Sequence, residues 1–179
     1  FIRAKKVLGF SEGNERMKKI AGYIRTGANA YLKRQYRVVA IFFACMFVFL
    51  IILSRFNMLS VYVPFAFITG GCYSALAGFV GMKIATAANS RTANACTEGL
   101  NKGLNVAFSA GSVMGFTVVG LGLFDISVWF SLLYFVFGCD IREIAATMVT
   151  FGMGASSMAL FARVGGGVFT KAADVGADL

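Results

Sequence analysis

Four stretches of this chain carry no charged residue: 38–54, 61–82, 103–124 and 144–162, which are 17, 22, 22 and 19 positions long. A helix needs about 20 mostly apolar residues to cross about 30 Å of hydrocarbon, so each run is long enough or nearly so. Inside lipid every backbone amide and carbonyl must be satisfied within the protein, which leaves helices as the form for runs of this kind. Hydrophobic residues make up 58% of the 179 positions, charged ones 14%, and there is a single proline. The expected fold class is all-α: a polytopic helical membrane protein with four transmembrane helices, forming part of a larger helical bundle.

The charges then orient the spans. Residues 1–37 hold ten Lys or Arg against Glu12 and Glu15. Such a bias invites a nucleic-acid reading, but these residues lead directly into an apolar run, and an excess of cations on cytoplasmic loops explains them more simply. No nucleic-acid partner is expected; the lipid bilayer is. Residues 1–13 read as a loop broken by Gly9 and Gly13, and Asn14 as an N-cap. Apolar residues then recur at helical spacing from Met17 to Tyr31, as a membrane-surface helix or an extension of the span that follows. The expected segments are 1–37, a cytosolic loop and amphipathic helix; 38–54, a span; 61–85, a span extended in the cytosol to 96; 103–137, a span; and 144–179, a span ending in a charged motif. Residues 1–37, 86–102 and 171–179 would face the cytosol, and 55–60 and 138–143 the outside.

Small residues mark close helix packing: Gly71, Ala75, Gly78 and Ala85 on one stripe, and Gly111 with Gly115 as a GxxxG pair. Asp125 interrupts an apolar stretch and admits two readings. It is either an intramembrane carboxylate on an ion path or an outer-interface residue before an irregular segment. Span length favours the second, because 103–124 already crosses the hydrocarbon. Cys45, Cys72, Cys96 and Cys139 are scattered without C-x-x-C spacing, and histidine is absent, so zinc, haem and redox sites are unsupported and buried structural thiols are expected. The first residue is Phe1 and Leu179 falls mid-helix with no stop signal, the pattern expected of an internal piece of a longer protein.

Chemistry concentrates at the C-terminal end. On a helix, Lys171, Asp174 and Asp178 stand at i, i+3 and i+7 and share one face. Arg163 lies eleven residues before Asp174, three turns plus about 20°, hence on that same face about 16 Å away. Two carboxylates one turn apart suit Mg²⁺, which is held by one or two carboxylates, waters and substrate phosphates. A neighbouring lysine offers a point charge to a phosphate oxygen. The plain alternative is a solvated helix end with a local Lys–Asp pair. Arg163 argues against it, because charges within a span are costly and mark function. The glycine run is not a P-loop: Thr170 and Ala172 flank Lys171 where glycine and Ser/Thr would be needed.

The run ARVGGGVFTKAADVGADL resembles the signature of the membrane-integral, ion-pumping inorganic pyrophosphatases. GNERMKKIAGYIRTGANAYLKRQY, SALAGFVGMKIATAANSRTANA and GLNVAFSAGSVMGFTVVGLGL resemble early helices of that family, in the same order. The resemblance implies hydrolysis of Mg-pyrophosphate coupled to transport of H⁺ or Na⁺, with Mg²⁺ as cofactor, K⁺ as a further candidate, and a homodimer as the assembly. It implies Lys171, Asp174 and Asp178 as catalytic residues, with Lys171 a pyrophosphate contact and Asp174 and Asp178 Mg²⁺ ligands, and Arg163 in the ion pathway or its coupling to hydrolysis. A multi-pass protein of a bacterial inner membrane is expected, with a vacuolar-type membrane as the alternative. The family's signature continues beyond the residues present here, so this piece alone is expected to be inactive. The competing function is a non-enzymatic cation transporter or channel subunit whose charged stripe lines a pore.

Overall fold

A computed structural model describes residues 2–178, and Leu179 of the expected last span lies outside the described residues. The chain forms α1 (Ile2–Leu8), α2 (Glu15–Arg55), α3 (Val63–Thr97), α4 (Leu100–Ser131) continued by a π-helical turn (Leu132–Val136), and α5 (Ile141–Asp178). The described residues contain no strand. Four of these helical segments are long and apolar enough to cross a membrane. At 1.5 Å per residue, α2 and α5 run about 60 Å, roughly twice the hydrocarbon thickness.

Local chemistry accounts for most boundaries. The Asn14 side chain accepts the Met17 amide at 2.9 Å, an N-cap that starts α2 where expected. The helix then continues without a break from Glu15 to Arg55, so the amphipathic stretch extends the span and is not a separate surface helix. Asn57 takes a left-handed backbone (φ 58°) in the turn before α3, and Pro64 falls at the start of that helix, where its missing amide is harmless.

Several expectations are corrected. Residues 2–8 form a helix, not a loop: no breaker precedes Gly9, Val7 is fully buried, and Lys5 and Lys6 favour the helix C-terminus. The α4 helix begins at Leu100, ahead of Gly103, and α5 begins at Ile141, so Arg142 and Glu143 sit in its first turn. Asp125 does not precede an irregular segment. The apolar residues after it carry α4 on to Ser131, and Asp125 is buried. Of the cysteines, Cys45, Cys72 and Cys96 are exposed and Cys139 half-buried, so none is the buried thiol expected.

The chain divides into two compact units. Unit 1 comprises Phe1–Lys33 and Ala77–Val119. Arg91 is buried in it beside apolar residues such as Val7 and Val106. The Arg91 guanidinium bonds the carbonyls of Phe10 (3.0 Å), Leu8 (3.3 Å) and Ala87, tying the N-terminal segment to α3. Unit 2 comprises Arg34–Leu76 and Gly120–Leu179. Its core is Val39, Phe43, Leu50, Val63, Phe67 and Met158, with the Phe43 and Phe67 rings 5.0 Å apart. Side chains bond carbonyls of neighbouring helices: Tyr36 to Ala75 at 2.6 Å, Gln35 to Phe161 at 2.7 Å and Ser74 to Ala155 at 3.1 Å.

One close helix contact in unit 2 pairs glycine with backbone in both directions. A methyl built on Gly154 would overlap the Phe67 carbonyl, and one on Gly70 would overlap the Phe151 carbonyl. Gly111 and Gly115, by contrast, meet nothing within 4 Å, so the GxxxG spacing on α4 marks no close approach among the described residues. Backbone cannot step aside for a methyl as a side-chain tip can. Gly154→Ala in the full-length protein is therefore expected to be destabilising by about 1–3 kcal/mol. Gly152→Ala, with open space around it, should fall within about 0.5 kcal/mol of wild type or gain slightly in helix propensity. Thermal unfolding of both variants checks this, and a Gly154→Ala protein that melts with wild type would contradict it.

Candidate functional site

The α5 helix packs along one stripe. Ile144, Thr147, Phe151, Gly154 and Met158 are its buried residues, at alternating spacings of three and four. At 100° per residue their mean direction lies about 180° from the mean direction of Arg163, Lys171, Asp174 and Asp178. In the first half of the helix one face holds it in unit 2; the charged motif points the opposite way from the second half, 159–178, where no described residue is buried. The helix passes unbroken through Gly165, Gly166 and Gly167, with the Thr170 hydroxyl bonded back to the Gly166 carbonyl at 3.0 Å.

All four expected site residues are exposed in this chain. Lys171 Nζ is 3.1 Å from Asp174 Oδ2, with their side chains 82% and 55% exposed. That geometry is the local i,i+3 pair, and a contact so open to solvent adds little to stability. Asp178 follows one turn beyond Asp174, and neither Asp178 nor Arg163 forms an ion pair among the described residues. Arg163 lies in the stretch 159–178, where no described residue of α5 is buried.

The donor set fits a hard cation in part. Asp174 and Asp178 give carboxylate oxygens on one face, the ligand type that Mg²⁺ takes alongside water and phosphate. No group of three or more His, Cys, Asp or Glu side chains able to hold a metal occurs among the described residues. Two carboxylates and a lysine can therefore bind a metal–phosphate complex from one side but cannot enclose it.

A second polar cluster, in unit 1, escapes sequence inspection because its members are far apart in the chain. Glu12 Oε1 pairs with Arg25 at 2.5 Å and with Arg91 at 2.9 Å, and Arg91 is 8% exposed. The Arg25 hydrogen bond, above all, holds the Glu12 carboxyl below its usual range; burial opposes the shift and Arg91 reinforces it. In the same unit Lys83 donates to Asn29 at 2.6 Å, joining α3 to α2.

The family comparison decides what this arrangement belongs to. The model of the inorganic H⁺ pyrophosphatase family matches residues 1–179. The chain belongs to that family. It is similar, at 53% identity over 98% of its length, to a protein of Bacteroides thetaiotaomicron named as a putative K⁺-stimulated pyrophosphate-energized sodium pump, of which it covers 25%. It is 45% identical over 98% of its length to a K⁺-insensitive pyrophosphate-energized proton pump of Methanosarcina mazei, covering 24% of that protein. A Clostridium tetani protein, also named as a putative K⁺-stimulated sodium pump, is 47% identical over 94% of the chain. The chain thus spans about a quarter of the length of these relatives.

A depressed carboxyl contributes stability that is fully present above its unfolded value, near 4.5, and is lost as pH falls through the lower native value. Glu12→Gln is therefore expected to lower the melting temperature of the full-length protein at pH 7, by roughly 1–3 kcal/mol in stability. It should also reduce the loss that wild type shows below about pH 4.5. Melting curves at both pH values test the pair. Identical curves for variant and wild type throughout would show that the cluster does not hold unit 1 together.

Proposed function

We propose that the chain serves in an ion-translocating inorganic pyrophosphatase, in which cleavage of pyrophosphate to two phosphates drives H⁺ or Na⁺ across a membrane. The observation that carries this reading is the charged stripe on the uncovered face of α5, in a chain matched by the family over its whole length. The names of the relatives divide between proton and sodium pumps and between K⁺-stimulated and K⁺-insensitive forms. The protein would be multi-pass, homodimeric and resident in a bacterial inner membrane. Residues 1–37, 86–102 and 171–179 would face the cytosol, which puts Lys171, Asp174 and Asp178 on the cytosolic side.

In this reading each residue has a distinct task. Lys171 exchanges its exposed pair with Asp174 for a pyrophosphate oxygen, a charge-assisted contact that positions the substrate. Asp174 and Asp178 present their carboxylates to Mg²⁺, which when bound offsets the charge of the phosphates. Arg163 stands about 12 Å from Lys171 along the helix, at 1.5 Å per residue over eight residues. That separation is too long for both to hold one phosphate directly. Arg163 instead transmits the state of the site to groups deeper in the membrane, where a planar, permanently charged fork can grip a carboxylate or carbonyl.

The test uses the full-length protein in sealed vesicles, with phosphate release and ion uptake measured on the same sample. Asp174→Asn and Asp178→Asn should each lower hydrolysis about 100-fold or more, since losing a charged metal ligand removes several kcal/mol. Raised Mg²⁺ should partly restore either variant. Arg163→Lys should leave pyrophosphate affinity nearly unchanged and reduce the ions moved per pyrophosphate cleaved. Wild-type hydrolysis in both aspartate variants would remove the metal assignment. A weakened affinity with unchanged stoichiometry in Arg163→Lys would place that residue in the substrate site.

A further inference from the structure

Asp125 of α4 stands apart from the α5 motif. It is 2% exposed, and its Oδ2 is buried with no hydrogen-bond partner among the described residues. Thr69 of α3 offers it a hydroxyl. That hydroxyl is already engaged: it accepts the Trp129 indole N–H at 2.7 Å and lies 3.1 Å from the Ala66 carbonyl. A threonine has a single hydrogen to donate, so Ala66 and Asp125 compete for it. The carboxyl is therefore left short of donors on one oxygen entirely and on the other in part.

The charges around it do not make up the deficit. Within unit 2, residues 63–76 of α3 contain no Lys, Arg, Asp or Glu, and in 120–136 Asp125 is the single charged residue. On α2, Arg34 and Arg37 sit at the start of the unit's segment and Arg55 at its end. On α5, Arg142 and Glu143 occupy the first turn, where Glu143 is bonded to Ser60, and Arg163 lies on the face away from the packing stripe. Asp125 forms no ion pair with any of them. Of the tyrosines on these two helices, Tyr73 meets Phe124 edge-on and Tyr134 stacks on Phe130.

An isolated ionised carboxylate out of water is among the most costly groups a protein can bury, so such a group acquires a cationic companion. We propose that Asp125 anchors a monovalent-cation site within unit 2, in which its carboxyl holds either a proton or a sodium ion. A proton needs only one carboxyl oxygen. A sodium ion would add the Thr69 hydroxyl and the Ala66 carbonyl as further oxygens. The site is independent of pyrophosphate cleavage: it rests on α3 and α4, and it stands or falls without the roles assigned to Lys171, Asp174 and Asp178.

The full-length protein in native membranes, treated with a hydrophobic carbodiimide, gives the test. The acid proton passes to a carbodiimide nitrogen and the carboxyl oxygen adds to the central carbon; an acyl shift to nitrogen then gives a stable N-acylurea, with no leaving group. Mass spectrometry reads the adduct at Asp125 from about pH 6 to about pH 9. If the companion is a proton, the adduct forms at the acid end, falls at least tenfold at the alkaline end, and is the same in Na⁺ and K⁺ buffers. If it is sodium, Na⁺ protects Asp125 at least tenfold where K⁺ does not. The infrared difference between wild type and Asp125→Asn supplies a readout that needs no reagent access. A protonated-carboxyl band lost in the variant, or a carboxylate band that shifts with Na⁺, supports the site. A carboxylate band indifferent to pH and Na⁺, with no adduct in any buffer, would mean that Asp125 is permanently paired with a cationic side chain, and would overturn the proposal.

Discussion

Unit 2 depends on two backbones coming close enough to touch, Gly154 against the Phe67 carbonyl and Gly70 against the Phe151 carbonyl. In hydrocarbon, helices gain nothing from burying apolar surface against each other in place of lipid; close packing and cross-helix hydrogen bonds hold them together. Both occur along this contact. Where the glycines let α3 and α5 approach, Ser74 reaches the Ala155 carbonyl and the Phe43 and Phe67 rings fill the adjoining core. Met158, 1% exposed, is the next buried position on the same stripe of α5.

That contact has a consequence for chemistry. By fixing one face of α5, it commits the opposite face, and there Arg163, Lys171, Asp174 and Asp178 align over the last four turns. A site on a long, well-packed helix is held more accurately than one on a loop, which suits the placement of a metal and a phosphate. The family membership of the whole chain gives the stripe its context. Lys171 and Asp174 satisfy each other at 3.1 Å, the Lys–Asp pairing expected of opposite charges three residues apart and exposed to water.

Much of this was legible in the sequence, for identifiable reasons. The four spans show as uncharged runs because hydrocarbon excludes charge from lipid-facing helices. Asn14 could be named as an N-cap because its chemistry is local. The stripe on α5 followed from helical spacing alone. What escaped was set by tertiary contact. Gly111 and Gly115 have the spacing of a packing motif but face open space, whereas Gly70 and Gly154, in no such pair, carry the close approach. Asp125 suggested an interface because 103–124 is already long enough to cross the hydrocarbon; the apolar residues beyond it instead carry α4 onward, and Asp125 is buried. The Glu12–Arg25–Arg91 cluster joins positions 13 and 79 residues apart, which no local pattern could connect.

The central claim is that α5 divides its labour, one face for packing and the other for ligand. Thermal unfolding of the full-length Lys171→Ala protein, with and without Mg²⁺ and imidodiphosphate as a non-hydrolysable stand-in for pyrophosphate, tests it most directly. A ligand present at 100 times its Kd stabilises the native state by about 2.7 kcal/mol. The variant should melt with wild type when no ligand is present, because Lys171 is exposed and supports no packing. It should lose most of the ligand-induced rise. A variant that melted well below wild type without ligand, and yet kept the full rise with it, would contradict the division of the two faces.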